Sequence, residues 1–245
     1  MQDRRLIFHF RDFSMRQAPS GQRINTDSCT FGDALRPAGE IGQEPARCLD
    51  IGCGTGLLAI MMAAKFPDSQ VTGIEPVADL AEIARENAAA SPWHRRIEIH
   101  TSRLDELAAS SKLQFDLIAC NPPFFSSGPK SEDPIRAMAR HDGTLGMNET
   151  VDGIATLLTP AGTAWILCPA KDQDAWISRF AGYDLNIAGI KVFTDHPEAR
   201  PHACALGFMR IEINRAPLRE EIFYRTGPGG DASPWMKDYR RRWHP

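Results

Sequence analysis

Short apolar runs alternate along the chain with longer segments in which apolar residues return every three or four positions. Runs of the first kind read as buried strands and segments of the second as amphipathic helices. Strands are predicted near residues 47–51, 70–75, 96–100 and 115–120, then at 163–168, 186–193 and 203–213. Helices are predicted at 57–65, 77–90, 148–158 and 172–180. Strand and helix in repeated alternation is the order of parallel β-α units, and the two late strands, with no helix between them, are expected to pair antiparallel. The fold class expected is α/β, a near-parallel sheet wrapped by helices on both faces. Residues 125–146, rich in Gly, Pro, Ser and mixed charge, read as a long loop, of the kind that is functional or mobile in compact domains.

Length adds one constraint. A chain of 245 residues can bury one full core, so a single domain is expected, with an irregular cap segment over 1–45, a core over 46–215 and a tail over 216–245. With 42% hydrophobic and 24% charged residues, disordered and coiled-coil classes are excluded. No run of about 18 apolar residues occurs, and Met1–Arg5 leads into no apolar stretch of signal-peptide length, so a cytoplasmic location is expected. The six cysteines form no C-x-x-C pair, so neither disulfides nor a metal are expected. A net charge of −3 argues against a protein that coats nucleic acid. Local basic patches remain, at Arg4, Arg5, Arg11, Arg16 and Arg23 and at Lys237 and Arg240–Arg242, the last readable equally as a solvated end.

Two motifs carry candidate chemistry. The first is Asp50-Ile51-Gly52-Cys53-Gly54-Thr55-Gly56, which follows a strand and opens a helix. Its glycines can bring backbone close to a ligand at a helix N-terminus, and the G-x-G-x-G spacing differs from the G-x-G-x-x-G of dinucleotide enzymes. Glu75, nineteen residues after Gly56 and at the end of the next strand, is placed to accept both ribose hydroxyls of an adenosine group. The second motif is Asn121-Pro122-Pro123-Phe124, after the strand at 115–120. An aromatic amine is a poor nucleophile because its lone pair is delocalised into the ring. The Asn121 side-chain oxygen and the Pro122 carbonyl, stiffened by Pro123, can accept both amino hydrogens and direct the lone pair at a methyl donor. Phe124 offers a face for an unstacked base. Arg140 and Arg200 are candidate substrate contacts. Trp93, Trp165 and Trp176 are expected as core or semi-buried packing, and Met61 and Met62 in the core.

With these motifs the sequence resembles the class I methyltransferases, and more narrowly the bacterial family that makes N6-methyladenosine at position 37 of a valine tRNA. The stretch 10–35 with Thr26-Asp27 at its centre, Ser91-Pro92-Trp93, Ala139-Arg140 and Glu198-Ala199-Arg200-Pro201-His202 are similar to that family in place and order. The resemblance implies a Rossmann-like, seven-stranded, mostly parallel sheet with the last strand antiparallel. It implies S-adenosylmethionine as cofactor, RNA as partner, and Thr26, Asp50, Gly52, Glu75 and Asn121 at the cofactor and reaction centre, with Gly54 and Gly56 in the same loop. The chain departs from the family in two places. Arg103 stands where an Asp usually reads the cofactor's adenine amino group, leaving Asp105 or a backbone carbonyl for that task, and the ending with Trp235 and Arg240-Arg241-Arg242-Trp243 differs. The tetrad does not name the base, so guanine N2 methylation of ribosomal RNA is the alternative. Protein glutamine methylation, DNA adenine methylation and a non-catalytic cofactor- and RNA-binding role stand further off.

Overall fold

The computed structural model describes residues 6–19, 23–37, 44–110, 112–122, 146–210 and 216–244. The first described elements are a hairpin, β1 (Ile7–His9) with β2 (Ser14–Arg16), and a helix, α1 (Thr26–Ala34). Then come β3 (Arg47–Ile51), α2 (Leu57–Lys65), β4 (Gln70–Ile74), α3 (Ala78–Ala90), β5 (Ile97–His100), α4 (Leu104–Ser110) and β6 (Phe115–Cys120). The later half holds α5 (Met147–Leu157), β7 (Leu158–Pro169), α6 (Gln173–Ala181), β8 (Asn186–Thr194), β9 (Ala203–Met209), β10 (Leu218–Phe223) and α7 (Pro234–Trp243).

One sheet takes the order β10-β8-β9-β7-β6-β3-β4-β5. The seven strands β3–β9 are those expected, and β9, the last of them, runs antiparallel to both neighbours, β7 and β8. An eighth strand that the apolar pattern did not announce, β10, adds parallel to β8 at the edge. Its sequence Leu-Arg-Glu-Glu-Ile-Phe is too charged to read as a buried strand. Its one buried side chain, Ile222, joins the core, and Glu220 pairs across the strands with Lys191 at 2.5 Å.

Side chains alternate between two cores. On β7, Trp165 and Leu167 enter one, and Ala164, Ile166 and Cys168 the other. The first core lies under α1, α2 and α7, with Phe31, Met61, Met62, Phe193 and Tyr239. The second lies under α5 and α6, with Ile154, Phe180 and Phe208. Every residue from Leu57 to Ala63 is buried, because α2 is apolar all round and α1 covers its outer side. Gly32 permits that cover, since a Cβ there would lie 2.5 Å from Met61 Sδ. Further along, the Lys65 ammonium donates to the Asp33 and Leu35 carbonyls. The two helices therefore run the same way, and the Thr26 end of α1 lies toward the Gly56 end of α2.

Candidate active site

The strand order reverses between β3 and β6, and a crevice at the carboxyl ends beside such a reversal is where open α/β sheets bind ligands. Ile51 pairs with Ile74 on one side and Cys120 on the other. The next residues, Gly52, Glu75 and Asn121, thus leave the sheet side by side.

Asp50 is 1% exposed, and its Oδ2 accepts a hydrogen bond from the Ala59 amide in the first turn of α2 at 2.9 Å. Its Oδ1 is buried with no hydrogen-bond partner among the described residues. Burial pushes this carboxyl up to about 7, against the bond from Ala59 and with help from the Glu75 charge. Gly52, Gly54 and Gly56 have φ of +64°, +55° and +90°, a run of left-handed residues that side chains would disfavour. A Cβ at Gly52 or Gly54 would meet nothing within 4 Å, so the turn presents bare backbone there; at Gly56 it would come to 3.4 Å from Ala84 on α3. The first two leave room and the third serves packing.

Glu75 is oriented by two amides, Gly54 N to Oε2 at 2.9 Å and Val77 N to Oε1 at 3.0 Å. Burial raises its carboxyl above the usual range while those two bonds pull the other way. A carboxylate has about four acceptor positions, so about two stay free for further donors. Asn121 is half-buried, and its Oδ1 is buried with no partner among the described residues. Pro122 beside it is buried. Pro123, Phe124 and Arg140 lie outside the described residues.

The cluster is rich in acceptors. Two bare buried oxygens and one half-used carboxylate surround an open glycine turn, and buried acceptors are normally satisfied. A ligand that brings donors and positive charge fits it: an ammonium group, ribose hydroxyls, an exocyclic amine. Thr26 is exposed at the start of α1, at the carboxyl edge. Arg200 is exposed in the connection from β8 to β9 at the same edge. Asp105 is turned to solvent in the first turn of α4 and paired with Arg103 Nε at 3.0 Å, three residues past Ser102, whose amide donates to the Glu75 carbonyl at 3.3 Å.

A family model, the methyltransferase small domain, matches residues 35–144. A tRNA1(Val) (adenine(37)-N6)-methyltransferase of Porphyromonas gingivalis is 41% identical over 91% of this chain and 89% of its own length. The chain belongs to the tRNA1(Val) (adenine(37)-N6)-methyltransferase family. A member from Aeromonas hydrophila is 36% identical over 73% of each chain. Among solved structures, a predicted O-methyltransferase of Agrobacterium tumefaciens superposes with a TM-score of 0.60 at 15% identity, covering 87% of this chain and 95% of that one, a likeness of fold alone. Within this class I methyltransferase fold, the acceptor-rich crevice fits S-adenosylmethionine, which carries an ammonium group and ribose hydroxyls.

Among the described residues no group of three or more His, Cys, Asp and Glu side chains is arranged to hold a metal, and no helix is long and apolar enough to cross a membrane. All six cysteines are free and buried. Sequence reasoning missed two supports of the site. Asn87 on α3 donates to the Thr55 and Arg16 carbonyls, both at 2.9 Å, tying the glycine turn to β2. Its signal is a lone amide among the buried Ala and Ile positions of that helix. Tyr224, after β10, bonds Asp27 and has no motif around it.

Proposed function

We propose that this chain transfers the methyl group of S-adenosylmethionine to N6 of adenine 37 in tRNA1(Val), with the crevice above β3, β4 and β6 as the reaction site. The reading is supported most by Asn121 Oδ1, a buried acceptor without a partner, at the end of β6 and one residue before a buried proline. Bound S-adenosylmethionine supplies an electrophilic methyl group. The protein's own residues do the rest. Gly52 and Gly54 let a ligand approach bare backbone, Glu75 accepts ribose hydroxyls with the lone pairs its two amides leave over, and the buried oxygen of Asp50 faces positive charge. Thr26 and Gly56 belong to the same wall, the second by holding α3 close.

Asn121 Oδ1 and the Pro122 carbonyl accept the two amino hydrogens of the target base, which localises the nitrogen lone pair, taking it out of conjugation with the ring, and fixes its direction. Phe124 and Pro123 complete that tetrad, with Phe124 under the base, and Arg140 and Arg200 contact the RNA. The amine needs no base before attack, since its extra proton leaves once the new bond has formed. Transfer then depends mainly on positioning.

Replacing Asn121 by Ala removes one acceptor and leaves cofactor binding largely intact. Transfer of labelled methyl to valine tRNA is expected to fall by about 100-fold or more, the scale of losing one preorganised polar contact to a transition state. An Asn121→Ala variant with wild-type kcat would overturn the assignment. A variant that folds and binds cofactor but transfers nothing supports it.

A further inference from the structure

Three residues far apart in the chain meet at the same edge of the sheet, outside the cluster around Asn121. Asp27 Oδ1 accepts a hydrogen bond from the Tyr224 hydroxyl at 2.6 Å and lies 3.0 Å from His202 Nε2. The His202 and Tyr224 rings are 5.6 Å apart. Backbone bonds fix both rings to strand ends. The His202 amide donates to the Phe193 carbonyl at 3.1 Å, the His202 carbonyl accepts from Ala170 just past β7 at 3.1 Å, and the Tyr224 amide donates to Thr194 at 3.0 Å. The ends of β7, β8 and β10 thus converge on this pair, and the pair grips one carboxylate on α1.

The charges support a lasting grip. Burial works to raise the Asp27 carboxyl, yet the bonds from His202 and Tyr224 and the His202 charge outweigh it and hold it below the usual range. The bond to Asp27 raises His202, with Asp195 adding to the same direction. Side-chain exposures of 40% for His202 and 23% for Asp27 mean that solvent screens the pair, so it contributes little to overall stability. What it supplies is direction. Asp27 follows Thr26 in the first turn of α1, while His202 lies two residues after Arg200. One carboxylate therefore joins the chain segment expected on the cofactor side to the segment expected on the acceptor side.

We infer that Asp27, His202 and Tyr224 are positioning residues for methyl transfer, locking the first turn of α1 to the connection before β9 so that the two walls of the cleft keep one geometry. The inference rests on the methyltransferase reading above. None of the three needs to touch a reacting atom; they act through Thr26 and Arg200, and losses of alignment of about an ångström lower rates strongly.

The test uses the full-length protein with Tyr224→Phe, which removes only a hydroxyl, together with His202→Leu and His202→Gln, the last of which keeps a donor for Asp27. Three measurements are made: kcat and KM on valine tRNA, S-adenosylmethionine affinity by calorimetry, and amide exchange across residues 26–30. The expected result is a fall in kcat of about tenfold for Tyr224→Phe and His202→Leu with partial recovery in His202→Gln. Faster exchange in the first turn of α1 and a cofactor dissociation constant raised about threefold or more accompany it. Wild-type kcat and cofactor affinity in all three variants, even with faster exchange, would make the cluster merely structural and overturn the inference. A wild-type protein that binds cofactor but methylates no RNA would instead defeat the functional reading and this inference with it.

Discussion

Asp50 keeps one oxygen on the Ala59 amide and leaves the other bare in a site that is 1% exposed. For a carboxyl that titrates near 7 folded and near 3.8 unfolded, the folded protein binds the extra proton, so its contribution to stability falls as pH rises through that interval and is flat above it. Asp50→Asn removes this charge while keeping an acceptor for Ala59. The difference in Tm between the variant and the wild type, both without cofactor, is therefore expected to move in the variant's favour from pH about 5 to about 7 and to change no further beyond. A difference independent of pH would show that Asp50 titrates normally. The variant should also bind S-adenosylmethionine more weakly, because the buried site loses its charge. Asp50, Glu75 and Asn121 were legible in the sequence for one reason: each is a polar residue at or just past the end of an apolar strand. Asn87 and Tyr224 were not, since their partners are backbone or side chains tens of residues away.

The strands and helices of the central core were read from period alone because their apolar faces are complete. Elements built from other signals escaped. Helix α1, Thr-Asp-Ser-Cys-Thr-Phe-Gly-Asp-Ala, has weak helix formers and owes its start to Asn25, whose side chain accepts from the Ser28 amide at 2.8 Å. Strand β10 hides behind charge. Helix α7 opens with Ser233 as cap and Pro234 in its first turn, a signal masked by the basic run that follows. One packing device could not have been read without coordinates. Gly189 and Gly207, paired across β8 and β9, form a slot for the Trp165 ring, and a Cβ at Gly207 would lie 2.8 Å from the indole. The same indole donates to the Arg36 carbonyl at 2.7 Å, just past α1. Gly207→Val is expected to lower unfolding free energy by about 1–3 kcal/mol, the scale of overpacking a rigid ring. Denaturant titration checks this, and an unchanged midpoint would mean that the ring has room to move.

At the scale of the whole molecule the two ends of the described chain close on each other. The Arg11 amide donates to the Trp243 carbonyl at 2.6 Å, and Arg242 and the Trp243 indole both reach the Asp33 carboxylate, at 2.6 and 2.8 Å. Residues read from sequence as a basic ending thus brace α1 from outside, while Asp27, His202 and Tyr224 hold its first turn from the sheet edge. The basic run does not act as one unit. Arg242 is spent on Asp33 and Arg241 pairs with Asp238, whereas Lys237 and Arg240 are exposed. The base that the crevice selects is a property of the assembled cleft rather than of the tetrad, which suits any exocyclic amine. The most direct measurement is mass spectrometry of nucleosides from valine tRNA incubated with the protein and S-adenosylmethionine, beside the same tRNA carrying guanosine at position 37. N6-methyladenosine in the first and no methylated base in the second is the predicted result; N2-methylguanosine in either, or no methylation of the first, would contradict it.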